Sequence, residues 1–202
     1  YIYMRLLELF SGTGSVGDVA KRFGYEVVSL DLKGADINTN ILNWDFKKYH
    51  TGYFDVIWAS PPCTEYSVAK TVGERKIDEA NEVVLMTLEI IEFFDPKHFI
   101  IENPQTGLLK NQWFMYGLPF VDVDYCKYGF PYRKRTRLWN NVSDWKPQPL
   151  CKKDCGGMSP NGKTHLATAQ RGSSKSHPTN KMKQCELYRV PENLIYEIFK
   201  NI

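Results

Sequence analysis

The chain has 202 residues, of which 43% are apolar, 14% aromatic and 24% charged, with a net charge of +3. That length suits one well-buried domain and hardly two, and the aromatic content excludes a disordered or fibrous chain. No apolar run is long enough to span a bilayer, and the opening YIYMRLLELF lacks the features of a secretory leader. The five cysteines are scattered and odd in number, which speaks against a disulfide framework and for a reducing, intracellular setting.

Taken in order, RLLELF (residues 5–10) reads as a buried strand, SGTGSVG as a glycine-rich turn, and GDVAKRFG as an amphipathic helix closed by Gly24. YEVVSLDL is a second strand ending at Asp31, which completes a βαβ unit. YFDVIWAS is a third strand, stopped by Pro61 and Pro62, which remove donors and lock φ. Residues 73–94 carry apolar side chains at helical spacing up to Pro96, and HFIIEN is a short buried strand broken by Pro104. FVDVDYCKYGF and RTRLWNN read as an antiparallel hairpin at the sheet edge, joined by a basic turn. Residues 146–184 have no period, and VPENLIYEIFKNI is a closing helix. Alternating strands and helices imply an α/β fold, a mostly parallel Rossmann-like sheet with helices on both faces and an antiparallel edge hairpin. A single domain over residues 1–202 is expected.

Gly12-x-Gly14-x-x-Gly17 follows a strand and opens a helix, and Asp31 ends the next strand, where a carboxylate can accept ribose hydroxyls. The pattern suits a nucleoside-bearing cofactor without separating NAD from S-adenosylmethionine; tight turning alone is the bland alternative. Glu8, inside the first strand, suits a cationic amino group better than a pyrophosphate. SPPC after the third strand, ENP after the fourth and RKRTR in the hairpin all map to the carboxyl edge of one sheet, where ligands bind in such folds. Singly, each has an ordinary structural reading.

In order and spacing, LELFSGTGSVG, SPPCTEYS, IIENPQTG and YGFPYRKRTRLW resemble the motifs of the DNA cytosine-5 methyltransferases, most closely their compact viral and phage members. The resemblance covers about residues 4–140. It implies S-adenosyl-L-methionine as cofactor, double-stranded DNA as partner with the target base flipped out, and no obligate protein partner or membrane. By match, Cys63 is the nucleophile that adds to carbon 6 of cytosine, Glu102 holds ring N3, and Arg135 and Arg137 hold the base and keep the thiol ionised. The cofactor would lie on Phe10, Gly12, Thr13, Gly14 and Ser15, with Asp31 and Leu32 at the ribose, Asn40 and Ile41 at the adenine, and Pro62 nearby.

The family's large recognition domain is missing. The basic, irregular insertion at residues 146–184 stands in its place, with eight Lys/Arg and one acid between Lys146 and Lys183, so phosphate contact is the expected source of affinity. A solvated surface is the plainer reading. Cys151, Cys155 and His165 in that insertion read either as a zinc clip, with Cys126 or Cys185 as a fourth ligand, or as free thiols in a loop. Other functional readings are an RNA (tRNA) cytosine-5 methyltransferase, a silent DNA-binding accessory protein, and an NAD oxidoreductase. The last leaves the Pro-Cys and Glu-Asn motifs without a role.

Overall fold

The computed structural model describes residues 4–170, 180 and 182–202. Lys175 and Lys181 of the basic insertion lie outside the described residues. Seven strands form one sheet in the order β3-β2-β1-β4-β5-β7-β6. They are β1 (Arg5–Leu9), β2 (Glu26–Asp31), β3 (Ile37–Asn38), β4 (Val56–Ala59), β5 (His98–Pro104), β6 (Phe120–Asp124) and β7 (Arg135–Asn140). The first five pair in parallel, whereas β7 runs antiparallel between β5 and β6. The expected hairpin is therefore present, with β6 as the outer strand.

Alternation along the central strands builds two cores. Leu6, Trp58 and Ile100 face one side, and Leu7, Leu9, Ile57 and Ile101 the other, all fully buried or nearly so. Such strands, covered on both faces, read as continuous apolar runs. The first side is covered by α1 (Ser15–Arg22) and α4 (Glu192–Phe199). The second is covered by α2 (Ile77–Phe94), which ends at Asp95 in a left-handed conformation before Pro96. α2 starts later than its apolar spacing suggests. The residues before it belong to the loop after β4, where Arg75 donates to the carbonyls of Glu65, Ser67 and Lys70 at 2.8, 2.7 and 2.9 Å.

Two further elements differ from the sequence expectation. The strand read through FVDVDYCKYGF stops at Asp124, and a 3-10 turn, Tyr125–Tyr128, follows and ends at Gly129 with φ 97°. A short helix, α3 (Gln184–Tyr188), precedes α4 and leads the chain back toward α1, where the Val190 N–H reaches Ser15 Oγ at 3.3 Å.

Candidate active site

β1 runs into a turn at Phe10, whose φ of 59° is left-handed and strained for a side chain of that size. Gly12 (φ 50°) and Gly14 (φ 68°) complete the turn in conformations that only glycine adopts without steric cost. Gly14 then caps α1. The helix's leading N–H groups meet the buried Glu8 carboxylate, Val16 at 3.3 Å and Gly17 at 3.0 Å. Burial pushes Glu8 up to about 7, and those two N–H groups only partly oppose it. Gly17 serves a different purpose from the other two. A Cβ there would lie 2.6 Å from Glu8 Oε2 and 3.0 Å from Val27 Cγ1, so its absence lets α1 approach the sheet.

A cavity of about 320 Å³ opens beside this turn. Phe10, Gly12, Thr13, Ser15 and Asp31 wall it from β1, α1 and β2; Pro62, Cys63, Glu102 and Lys134 wall it from the ends of β4, β5 and the hairpin. A second cavity of about 210 Å³ shares Phe10, Asp31 and Pro62 and adds Leu32, Asn40, Ile41 and Val83. Gly14 lines neither. Asp31 accepts the N–H of Gly12 at 2.9 Å on one oxygen and that of Leu32 at 2.6 Å on the other, which fixes the turn to the end of β2. Asn40 accepts from Leu42 N–H at 3.0 Å and caps the 3-10 turn that carries the buried Ile41.

The proline loop that mounts Cys63 is tied to the adjacent strand. Asn103, directly after Glu102, donates from Nδ2 to the Pro61 carbonyl at 2.9 Å. The two short motifs are thus mechanically one unit: the asparagine of one positions the cysteine of the other. Glu102 is buried on β5 and accepts the Tyr125 hydroxyl on Oε1 at 2.8 Å, with Lys134 Nζ 3.6 Å from the same oxygen. Burial and the neighbouring Glu102 hold the Tyr125 phenol protonated, so it acts there as a donor. Both contacts fall on Oε1, which leaves Oε2 for a ligand. At Cys63 burial raises the thiol pKa, Lys134 lowers it and Glu102 raises it.

Arg135 and Arg137 are not in this wall. They sit on β7 directly opposite Asp124 and Asp122 of β6, and each guanidinium makes two bonds to its partner carboxylate, at 3.0 and 2.8 Å and at 2.8 and 3.0 Å. Arg137 also stacks on Phe120, 3.6 Å from the ring centroid. The cation that the structure does bring to Cys63 and Glu102 is Lys134, just before the strand. A signal for this was present in the sequence: D-x-D in one strand of a hairpin and R-x-R in the other satisfy each other when in register. Tyr188 and Val190, which also line the main cavity, were missed as well.

Outside the cavity wall, Cys151, Cys155 and His165 converge, and the fourth residue with them is Cys126. Cys185 lies exposed on α3 and is not part of the group.

A family model described as C-5 cytosine-specific DNA methylase matches residues 4–112. A probable DNA (cytosine-5)-methyltransferase of Frog virus 3 (isolate Goorha) is 36% identical, over 96% of this chain and 98% of that protein. The type II methyltransferase M.AgeI of Thalassovita gelatinovora is 27% identical over 72% of this chain, which spans only 42% of that enzyme. Among solved structures, a putative DNA modification methyltransferase encoded in an E. coli prophage superposes with a TM-score of 0.53 over 73% of this chain and 52% of its own. The Entamoeba histolytica methyltransferase EhMeth gives 0.55 over 74% and 57%. Both are 16% identical and speak for the fold alone, and this chain spans about half their length.

Proposed function

This chain belongs to the C-5 cytosine-specific DNA methylase family, and from that membership we infer that it methylates carbon 5 of cytosine in DNA, with Cys63 as the nucleophile. The observation that carries the residue assignment is the shared cavity. One wall is the glycine turn with Asp31, and the other is Cys63, Glu102 and Lys134.

The residues present fit S-adenosylmethionine. Phe10, Leu32, Ile41 and Val83 make the apolar lining that an adenine needs, with Asn40 beside them to read the base. Asp31 stands where the two cavities meet and keeps lone pairs for a ribose diol. Gly12 and Thr13 bring backbone close to the remainder. When bound, the cofactor supplies an electrophilic methyl group.

The protein's part is to make carbon 5 of cytosine nucleophilic. The Cys63 thiolate donates its electron pair to carbon 6, an S–C bond forms, and the ring π pair moves onto carbon 5 and toward N3. Glu102, as the carboxylic acid, donates its Oε2–H to N3 and, with Lys134 alongside, stabilises the charge that develops there. After transfer a water molecule takes the proton from carbon 5, the C–H bonding pair restores the ring double bond, and the S–C bond breaks to return the thiolate. A base stacked in a duplex cannot reach Cys63 and the buried Glu102, so the cytosine must be flipped out of double-stranded DNA. Lys152, Lys153 and Lys163 of the basic insertion are exposed, and in this reading they meet phosphates in the role of the family's recognition domain.

The test uses a duplex carrying 5-fluorocytosine at a methylated site. Fluorine cannot leave as the proton does, so the wild type should remain covalently attached while Cys63→Ala should neither attach nor methylate. Equivalent RNA run alongside distinguishes the polymers. Full transfer by Cys63→Ala would sink the assignment.

A further inference from the structure

Cys126, Cys151, Cys155 and His165 each present one donor atom, and all four donors lie within 4.8 Å of one another. We propose that these residues form a structural zinc site of Cys3His type that pins the basic insertion to the hairpin of the active site. Tetrahedral zinc with Zn–S bonds of about 2.3 Å sets ligand atoms about 3.8 Å apart, within the spread seen here. Three thiolates and one imidazole are the donor set that this borderline-soft ion prefers. All four positions are filled by protein, so the ion orders structure and takes no part in the reaction.

The local backbone is shaped for such a site. The Lys153 N–H donates to Cys151 Sγ at 3.3 Å, an N–H···S contact that offsets negative charge on a ligating thiolate, and Lys153 turns the chain tightly with φ 68°. His165 Nε2 stands 3.6 Å from Cys151 Sγ. It is carried there by a small antiparallel bridge to Met158, tightened by the bond from Ser159 N–H to the Thr164 carbonyl at 2.8 Å. The thiols are free, not paired in disulfides.

The insertion also has a need for the ion. Between residues 146 and 170, Cys151 is the one buried apolar side chain among the described residues, so no hydrophobic core holds this segment. A chelated ion supplies what a core would.

The attachment leads toward the chemistry. Cys126 sits in the 3-10 turn after β6. The Cys151 N–H bonds the buried Asp124 carboxylate at 2.9 Å, the same carboxylate that holds Arg135. Ala167 N–H bonds the Pro131 carbonyl at 2.9 Å, and at Gly157 a Cβ would lie 2.8 Å from the Phe130 carbonyl oxygen. The insertion is therefore laid against residues 130–131, the approach to Lys134. One ion would brace both the DNA-facing cations and the turn that delivers the active-site lysine.

The test begins with protein purified without chelator and analysed by mass spectrometry for metals. One zinc per chain is expected, and cobalt in its place should give the intense visible bands of a tetrahedral thiolate complex. Cys126→Ser and His165→Ala should lose most of the metal, whereas Cys185→Ser keeps it. Should those variants fold poorly, alkylation of the wild type decides. Cys126, Cys151 and Cys155 should resist iodoacetamide until a strong chelator is added, while Cys185 reacts throughout. Protein that contains no zinc and takes up no cobalt when reduced overturns the proposal. Chelator-independent alkylation of the three cysteines does the same.

Discussion

The assignment of Lys134 in place of the arginine pair makes a sharp prediction. Lys134 Nζ lies 3.6 Å from Glu102 Oε1, and both side chains are largely buried, 18% and 8% exposed. At that separation and an effective dielectric near 20 the bare attraction is about 5 kcal/mol, and solvent relaxation reduces what a mutation reads. After that relaxation roughly half of the attraction, about 2–3 kcal/mol, acts between the charges of a partly buried ion pair. If that amount acts on charge that develops as the thiolate adds, Lys134→Met slows single-turnover methyl transfer by about 30- to 150-fold at saturating DNA and cofactor.

The pH dependence should move as well. Burial and Glu102 both raise the Cys63 thiol pKa, and Lys134 opposes them. Removing the lysine leaves the raising influences unopposed, so the acid limb of the rate profile should shift to higher pH, and more alkaline buffer should recover part of the lost rate. Lys134→Arg, which keeps the charge, should retain more activity than Met. Lys134 also touches the Leu187 carbonyl and the Tyr125 ring, so thermal melts must accompany the kinetics; a loss through unfolding alone would not shift the pH profile. The reasoning is refuted if Lys134→Met keeps the wild-type rate and profile while Arg137→Met, which breaks the pair with Asp122, shifts them.

Glu8 predicts a pH-dependent stability. Its folded value of about 7 lies above the ordinary 4.5, so the folded chain holds the proton more tightly and stability falls as pH rises between those values, by about 3 kcal/mol in all. Glu8→Gln should flatten urea-unfolding free energy between pH 5 and pH 8; equal slopes in both proteins would contradict the cause. Gly17→Ala, which sets a methyl 2.6 Å from Glu8 Oε2, should cost about 1–3 kcal/mol of stability and weaken cofactor binding measured by calorimetry. Replacing the exposed Lys152, Lys163 and Lys183 by Gln should reduce the salt dependence of DNA binding by about 0.9 in slope per lost phosphate contact and leave cofactor affinity alone, and an unchanged slope would dismiss the phosphate role.

What was legible in the sequence follows from the range over which each feature is determined. β1 and β4 stood out because strands covered on both faces must be apolar throughout, and β4 is buried at every position. The glycine turn, Asp31, Cys63 and Glu102 were placed together because parallel topology sends the carboxyl ends of all these strands to one edge, whatever the details of packing. The cation could not be placed by the same rule. Arg135 and Arg137 are two residues apart on a strand, so they share a face, and that face is claimed by Asp122 and Asp124 once the hairpin pairs in register. A one-residue slip would have exchanged their orientation with that of their neighbours. The ligands of the proposed zinc site show the same limit. Cys126 and Cys185 stand at similar sequence distances from Cys151 and Cys155, and spacing does not choose between them. The choice is made by the 3-10 turn that follows β6, which ends the strand at Asp124 and swings Cys126 toward the insertion, while α3 leaves Cys185 exposed. Tyr188 and Val190 reach the cavity only because the chain returns from α3 to α1, a contact spanning 175 residues between Val190 N–H and Ser15 Oγ. Residues set by a strand's own pattern could be read in advance. Those set by which side of a hairpin faces inward, or by where a distant segment comes to rest, required the fold.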